Sequence, residues 1–282
     1  MFSKLYSRFV KFYRSTYLKI WYSLHNTNGN VHLSSEKKKK LKIPFYNFEV
    51  FARKTNSDLR RILDFYEERQ YSSKSYLHKK LIEANLTTLI DIGANIGTSS
   101  LKIVDTFKSI KNVIAIEANY ENFNILQSNF ELWSKKHDQI KFNPKYGIAT
   151  YSSDLSMSED KSIADLAKKG TKSGTFRFKI NKHNNFNKNH PKCISIDEII
   201  KKLDPNQKIF VKIDIEGGED YLLSKNTDWI KDVSFLVIEI HDRYHQELIN
   251  SSKNVLNLLN ENDFAIIPEL NLLKCYNRNL FN

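Results

Sequence analysis

The sequence predicts an α/β domain: a mostly parallel, seven-stranded sheet with helices on both faces, closed by a C-terminal antiparallel hairpin. Three observations predict it. Short β-branched runs alternate with longer amphipathic stretches from residue 87 to residue 261, the alternation that builds parallel sheets covered on both faces. The first run, Leu89-Ile90-Asp91-Ile92, passes through the turn Gly93-Ala94-Asn95-Ile96-Gly97 straight into a helix start, Thr98-Ser99-Ser100-Leu101. Strand, glycine turn and helix make the first crossover of a nucleotide-binding sheet. Twenty-six residues after Asp91, the run Val113-Ile114-Ala115-Ile116 ends on Glu117, the position from which such sheets hold ribose hydroxyls.

The elements follow in order. Residues 56–85 read as helical and lead into strand one at 87–92. A helix at 96–107 and a strand at 112–117 come next. Phe123, Leu126, Phe130 and Trp133 share one face of a helix over 120–136, and strand three spans about 140–149. Residues 151–192 lack clear periodicity, although Thr175-Phe176-Arg177-Phe178-Lys179-Ile180 alternates like a strand. A long irregular insertion in an α/β domain is usually a substrate-binding or lid segment, so it is expected over the cleft. Ser195 is expected to cap a helix at 196–203, with Glu198 as its capping-box partner. Strand four at 208–215, a helix at 218–230, strand five at 234–241 and a long helix at 244–261 follow. Phe264-Ala265-Ile266-Ile267 and Leu272-Leu273-Lys274-Cys275-Tyr276 form the hairpin.

The glycine turn narrows the ligand. A dinucleotide fingerprint started at Gly93 needs glycines where Asn95 and Thr98 stand, and the P-loop pattern is absent. A pyrophosphate must press against those glycines and the helix terminus. An adenosine cofactor without phosphate fits better, which points to S-adenosylmethionine. Asp91, Gly93, Asn95 and Gly97 then face its charged methionine portion, and Glu117 its ribose.

Strands four and five carry the chemistry. Lys212, Asp214 and Glu216 share one face by the period of two, as do Glu239 and His241. Charges inside a parallel strand need a reason, and ligands bind outside the carboxyl ends of such strands. Lys212, Asp214, Glu239 and His241 are therefore the candidate catalytic group. His241 or Asp214 could take a proton from an acceptor hydroxyl, a pKa near neutrality favouring His241. Alternatively Asp214, Glu216 and Glu239 could hold magnesium or manganese. Metal-free base catalysis is preferred, because no compact metal spacing declares itself.

Four motifs carry a family resemblance: Asp91 to Gly97, Glu117-Ala118-Asn119, Ser195-Ile196-Asp197-Glu198, and Lys212 to Glu219. In order and spacing, over about residues 85–245, the chain resembles the FkbM-type methyltransferases. Ala118 stands where the family usually has proline, and Gly217-Gly218-Glu219 where it usually has Gly-Ala-Glu. The resemblance implies a Rossmann-like class I methyltransferase fold and O-methylation, often of sugars or secondary metabolites.

Charge and composition refine the picture. Of 44 Lys and Arg, ten lie in residues 1–42 beside a single acid, Glu36, so the remaining 34 face 31 acids. A nearly neutral body argues against a phosphate-tracking groove and hence against nucleic acid. RNA methylation is the alternative enzymatic reading, and a membrane-associated binding module that kept the fold without the reaction is the non-enzymatic one. The basic extension, residues 1–45, ends in a stretch at 26–42 that reads as a solvated linker. Its first 25 residues place Phe2, Leu5, Tyr6, Phe9 and Tyr13 at helical spacing among lysines and arginines, as an interfacial helix at an anionic membrane would. The catalytic domain is expected over 46–282, with a helical lead-in at 46–86. Two distant cysteines, Cys193 and Cys275, and no run of 18 apolar residues suit a cytoplasmic enzyme, at most peripheral at the inner face of the membrane.

Overall fold

The computed structural model describes residues 38–43, 48–53, 58, 61–62, 81, 83–155, 157–159, 178–180, 191–241, 251–269 and 272–280. These fall in two compact units, residues 1–60 and 61–282. In the first, β1 (Lys38–Ile43) pairs antiparallel with β2 (Phe48–Arg53). The end of the stretch read as solvated linker is thus a strand.

The second unit is built on a seven-stranded sheet. In chain order its strands are β3 (Thr88–Ile92), β4 (Asn112–Glu117), β5 (Lys141–Tyr146), β10 (Ile209–Ile213), β11 (Val233–Glu239), β12 (Phe264–Glu269) and β13 (Leu272–Asn277). In space they run β12-β13-β11-β10-β3-β4-β5. Strands β5, β4, β3, β10 and β11 are mutually parallel, while β13 is antiparallel to both β11 and β12. This is the Rossmann-like class I methyltransferase fold, with the expected hairpin at one edge. The strand order reverses between β3 and β10, the switch point at which such sheets bind ligands.

Short strands account for the rest: β6 (Ile148–Thr150) pairs with β9 (Cys193–Ser195), and β7 (Met157–Glu159) with β8 (Phe178–Ile180). The expected continuous third strand is broken at Gly147, where an added Cβ would meet Ile194 Cδ1 at 2.4 Å and Lys192 O at 2.6 Å. Helices α1 (Thr98–Thr106), α2 (Tyr120–Ser134), α3 (Ile196–Ile200), α4 (Glu219–Leu223) and α5 (Ser251–Glu261) connect the strands. The single helix expected at 218–230 is instead α4 and a separate 3-10 turn at Asp228–Asp232. Asn226, between them, has a positive φ of 50°, which ends helical hydrogen bonding. Ser195 does cap α3, its Oγ accepting from Glu198 N at 3.3 Å. The capping box is not reciprocal: Glu198 Oε1 accepts from Ser153 Oγ at 2.6 Å. The lead-in expected to be helical over 46–86 begins instead with a strand, β2, at Phe48–Arg53; most of the rest of it, most of the insertion at 151–192 and the segment 1–25 lie outside the described residues.

The two sheet faces differ, and that difference positions the site. Ile90, Ile92, Ile114, Val211, Ile213 and Leu236 face one core cluster, completed by Ile196, Leu222, Val255 and Leu259 from the helices. The alternate residues face the other way. There Phe210 packs edge-on against Phe107 and Phe235 (centroids 5.7 and 4.8 Å). Toward the carboxyl ends of the same strands, this second face becomes charged.

Candidate active site

Asp91, the last-but-one residue of β3, is fully buried. Its Oδ2 accepts from Ser99 Oγ at 2.7 Å and Ser100 Oγ at 2.6 Å, at the start of α1. Its Oδ1 lies 3.0 Å from Lys212 Nζ on the adjoining strand β10. Lys212, 3 % exposed, also donates to Gly93 O at 2.9 Å and stands 3.7 Å from Asp214 Oδ2. Lys212 was expected in the catalytic group with Asp214. Its nearer carboxylate is Asp91, and its ammonium is turned into the glycine turn. Asp91 and Lys212 together brace that turn from behind.

The turn's glycines serve the protein's own packing. Gly93 has φ +80°, and a Cβ there would lie 1.9 Å from Asp214 O. Gly97 has φ +90°, and its Cβ would meet Leu126 Cδ1 at 2.8 Å. Both glycines, expected to face a ligand, also admit β10's continuation and helix α2. Asn95 takes a φ of 53° between them, tolerable for asparagine. Its buried Oδ1 has no hydrogen-bond partner, an acceptor left for a group that comes from outside the chain.

Glu117 ends β4 and is 8 % exposed. Its Oε2 accepts from Asn95 N at 2.8 Å, and its Oε1 from Asn119 N at 2.8 Å and Asn122 Nδ2 at 3.3 Å. Burial pushes its carboxyl above the ordinary value, against the pull of those donors and of Lys212. A carboxylate offers about four lone-pair sites, so three donors leave room for one more.

Asp214, Glu216, Glu239 and His241 meet beyond β10 and β11. Asp214 and Glu216 stand in the turn after the strand, which ends at Ile213. His241 Nε2 lies 3.5 Å from Glu216 Oε2, 3.8 Å from Asp214 Oδ1 and 3.8 Å from Glu239 Oε1. Its Nδ1 lies 2.8 Å from Glu219 Oε1. Glu219, 1 % exposed, is the residue that the candidate set missed. It sits at the end of the quoted Lys212-to-Glu219 motif, yet nothing in its spacing predicts a bond to a histidine 22 positions on. Burial raises the Asp214 carboxyl, but Lys212, Arg61 and His241 outweigh it and hold the group below its usual range. Burial and the neighbouring Asp214 charge lift Glu216, and lift Glu239 to about 7. Burial would lower His241, but Glu219, Glu216 and Asp214 together raise it to about 9. The imidazolium form of His241 is thereby favoured, whereas the base role expected of it calls for the neutral ring. The metal set changes as well. The three groups that close on one point are Asp214, Glu216 and His241, their ligand atoms within 4.8 Å of one another; Glu239 stands outside that trio.

A family model described as the methyltransferase FkbM domain matches residues 91–266, more than half of the chain and every site residue above. The chain belongs to the FkbM methyltransferase family. This FkbM chain is 28 % identical over 153 residues to the hexuronic acid methyltransferase AglP of Haloferax volcanii, covering 54 % of this chain and 55 % of that protein. It thus spans about half the length of that curated relative. Among solved structures, it is similar to a methyltransferase FkbM from Methylobacillus flagellatus (16 % identity, TM-score 0.45, 77 % of this chain and 59 % of that one). It is also similar to an O-methyltransferase from Bacillus cereus in complex with SAH (10 % identity, TM-score 0.38, 77 % and 89 %).

Proposed function

We propose that this FkbM chain is an S-adenosylmethionine-dependent O-methyltransferase acting on a hydroxyl of a sugar or glycan. One observation carries the cofactor. The carboxylates of Glu117 and Asp214 both lie at one glycine turn, Glu117 accepting from Asn95 N at 2.8 Å and Asp214 3.7 Å from the lysine that meets Gly93 O, while that lysine is turned inward, 3.0 Å from Asp91. So acidic a mouth repels a pyrophosphate and suits a cationic ligand. When bound, S-adenosylmethionine supplies an electrophilic methyl group on a sulfonium. Glu117 would accept from the ribose hydroxyls at its remaining lone pair, and Asn95 Oδ1 would accept from a donor of the same ligand. Asp91 and Lys212 hold the turn in shape.

The acceptor side belongs to β10 and β11. A sugar offers several hydroxyls, and the carboxylates of Asp214, Glu216 and Glu239 can accept from neighbouring ones at once, which orients the ring. Glu239 stands at a strand end outside the close trio and is placed to take the proton of the attacking hydroxyl. The hexuronic acid named for the Haloferax relative supports a sugar as acceptor class.

Calorimetry with S-adenosylhomocysteine tests the cofactor assignment. Wild type should bind, and Glu117→Ala should bind about ten- to hundredfold more weakly, the worth of one or two charge-assisted hydrogen bonds. Equal affinity in the folded variant would overturn the ribose role. Asp214→Asn, which keeps shape and removes charge, should leave that affinity nearly unchanged. It should lower methyl transfer to a uronic acid acceptor by about 10²-fold.

A further inference from the structure

We infer that Asp214, Glu216 and His241 form a divalent metal site of the manganese class, with Glu219 as the residue that aims the histidine. Four features of the structure carry this.

The first is ligand geometry. Ligands around an ion at bond lengths of about 2.1 Å stand about 3 Å apart when adjacent and about 4.2 Å when opposite. The separations from His241 Nε2 to Glu216 Oε2 and Asp214 Oδ1, 3.5 and 3.8 Å, lie between those limits, and with all three ligand atoms within 4.8 Å of one another small side-chain adjustments bring them onto one ion.

The second is the support behind the ligand. A metal-bound histidine usually gives its other ring nitrogen to a carboxylate or carbonyl, which fixes the tautomer. His241 is 3 % exposed, and its Nδ1 meets Glu219 Oε1 at 2.8 Å. That contact turns Nε2 toward Asp214 and Glu216.

The third is charge. Four carboxylates, Asp214, Glu216, Glu219 and Glu239, surround one imidazole. The second oxygen of Glu219, Oε2, is buried and has no hydrogen-bond partner. Arg61 stands 3.9 Å from Glu216 Oε1, the oxygen that faces away from His241. Lys212, 3.7 Å from Asp214 Oδ2, offsets part of this charge from the other side, and a divalent cation would offset more of it where the ligand atoms converge.

The fourth is the donor set, which selects the metal. Two carboxylates and one imidazole are softer than the all-oxygen shell magnesium prefers, and two oxygen donors to one nitrogen suit manganese among the divalent ions that take mixed sets. Manganese(II) suits such a mixed set, and three protein ligands leave positions open for the hydroxyl to be methylated. The site so formed deepens the methyltransferase reading: a metal-bound sugar hydroxyl loses its proton more easily, and Glu239 Oε1 stands 3.8 Å from His241 Nε2, beside the point where that proton would leave.

The test uses the full chain, stripped with a chelator and titrated with Mn2+ in the absence of any cofactor. Electron paramagnetic resonance follows the loss of the free-ion signal. One equivalent of Mn2+ should be taken up, and pulsed measurement should detect nitrogen coupling from one imidazole. Glu216→Gln, at a partly exposed turn where folding is least at risk, should weaken uptake about tenfold or more. Glu219→Gln should weaken uptake by about 10- to 100-fold and reduce the nitrogen coupling, which a purely structural role would not do. No stoichiometric uptake by folded wild type overturns the site, as does uptake without nitrogen coupling or uptake unaltered in Glu216→Gln. Mg2+ binding more tightly than Mn2+ overturns the choice of metal. Because S-adenosylhomocysteine affinity is measured separately, metal uptake without cofactor binding would sink the methyltransferase reading alone, and the converse would sink only the metal.

Discussion

Lys212 is the residue on which the glycine turn depends. A lysine inside a parallel strand is costly to desolvate, and here it is compensated by Asp91 Oδ1 at 3.0 Å and Gly93 O at 2.9 Å. Removing one partner of a buried pair leaves the other charge uncompensated, at a cost of about 3–5 kcal/mol. Lys212→Met should therefore lower the unfolding free energy by that amount in urea titrations. Adding Asp91→Asn should recover part of it, since the orphaned charge disappears while Ser99 and Ser100 can still donate to the amide oxygen. A single-variant cost below about 1 kcal/mol would reduce the pair to a bystander. Gly93 shows the same economy of space: Asp214 O occupies the position of its missing Cβ, so the turn and the catalytic strand end are set by one backbone contact.

At the scale of elements, Glu117 joins three of them: strand β4, the glycine turn through Asn95 N, and the cap of α2 through Asn119 N and Asn122 Nδ2. Its carboxyl is raised by burial, so in the ligand-free chain the protonated form is favoured relative to the unfolded state. Glu117 thus contributes stability below the unfolded value near 4.5, and that contribution is lost as pH rises through the higher folded value. Ribose hydroxyls donate to the ionised form and reverse the balance. The rise in Tm given by S-adenosylhomocysteine should grow as pH climbs from the ordinary carboxylate value toward neutrality. In Glu117→Gln that extra slope should vanish, while Glu216 and Glu239 titrate in both proteins and cancel; equal slopes would refute the contact. The strands, α1, α2 and the hairpin were legible because apolar periodicity and buried β-branched runs specify them. What was not legible depended on tertiary contact. The break at Gly147 is forced by Ile194 and Lys192 from 45 or more positions away, and the split of the 218–230 helix by a left-handed residue at Asn226. In the site, period two placed Lys212 and Asp214 together correctly. It could not say that Lys212 turns toward Asp91, nor that Glu219 takes up His241, because both depend on packing between separate elements.

For the molecule as a whole, charge and chemistry are segregated along the chain. Ten of the 44 basic residues lie in residues 1–42 beside one acid, whereas every site residue lies in the unit 61–282. Among the described residues no helix is long and apolar enough to cross a membrane. The pattern of Phe2, Leu5, Tyr6, Phe9 and Tyr13 among lysines and arginines suits the headgroup region of anionic lipid. Where to cut the chain follows from the first unit. Removal at residue 42 would strip β2 of its partner strand and expose an edge prone to association. It would also leave the Arg53–Asp58 pair, Nη2 to Oδ1 at 2.8 Å, on a remnant. A chain beginning at residue 61 avoids both. It should keep the S-adenosylhomocysteine affinity and the Mn2+ uptake of the full chain within about twofold, because every site residue named above lies in 61–282. In flotation with vesicles containing anionic lipid, the full chain should float at low salt and be released as ionic strength rises past about 0.5 M, where the Debye length shrinks to a few ångström. The shortened chain should stay in the dense fraction throughout. Flotation by the shortened chain would move the membrane contact to the catalytic unit, and a full chain that never floats would leave the basic segment to some other anionic surface.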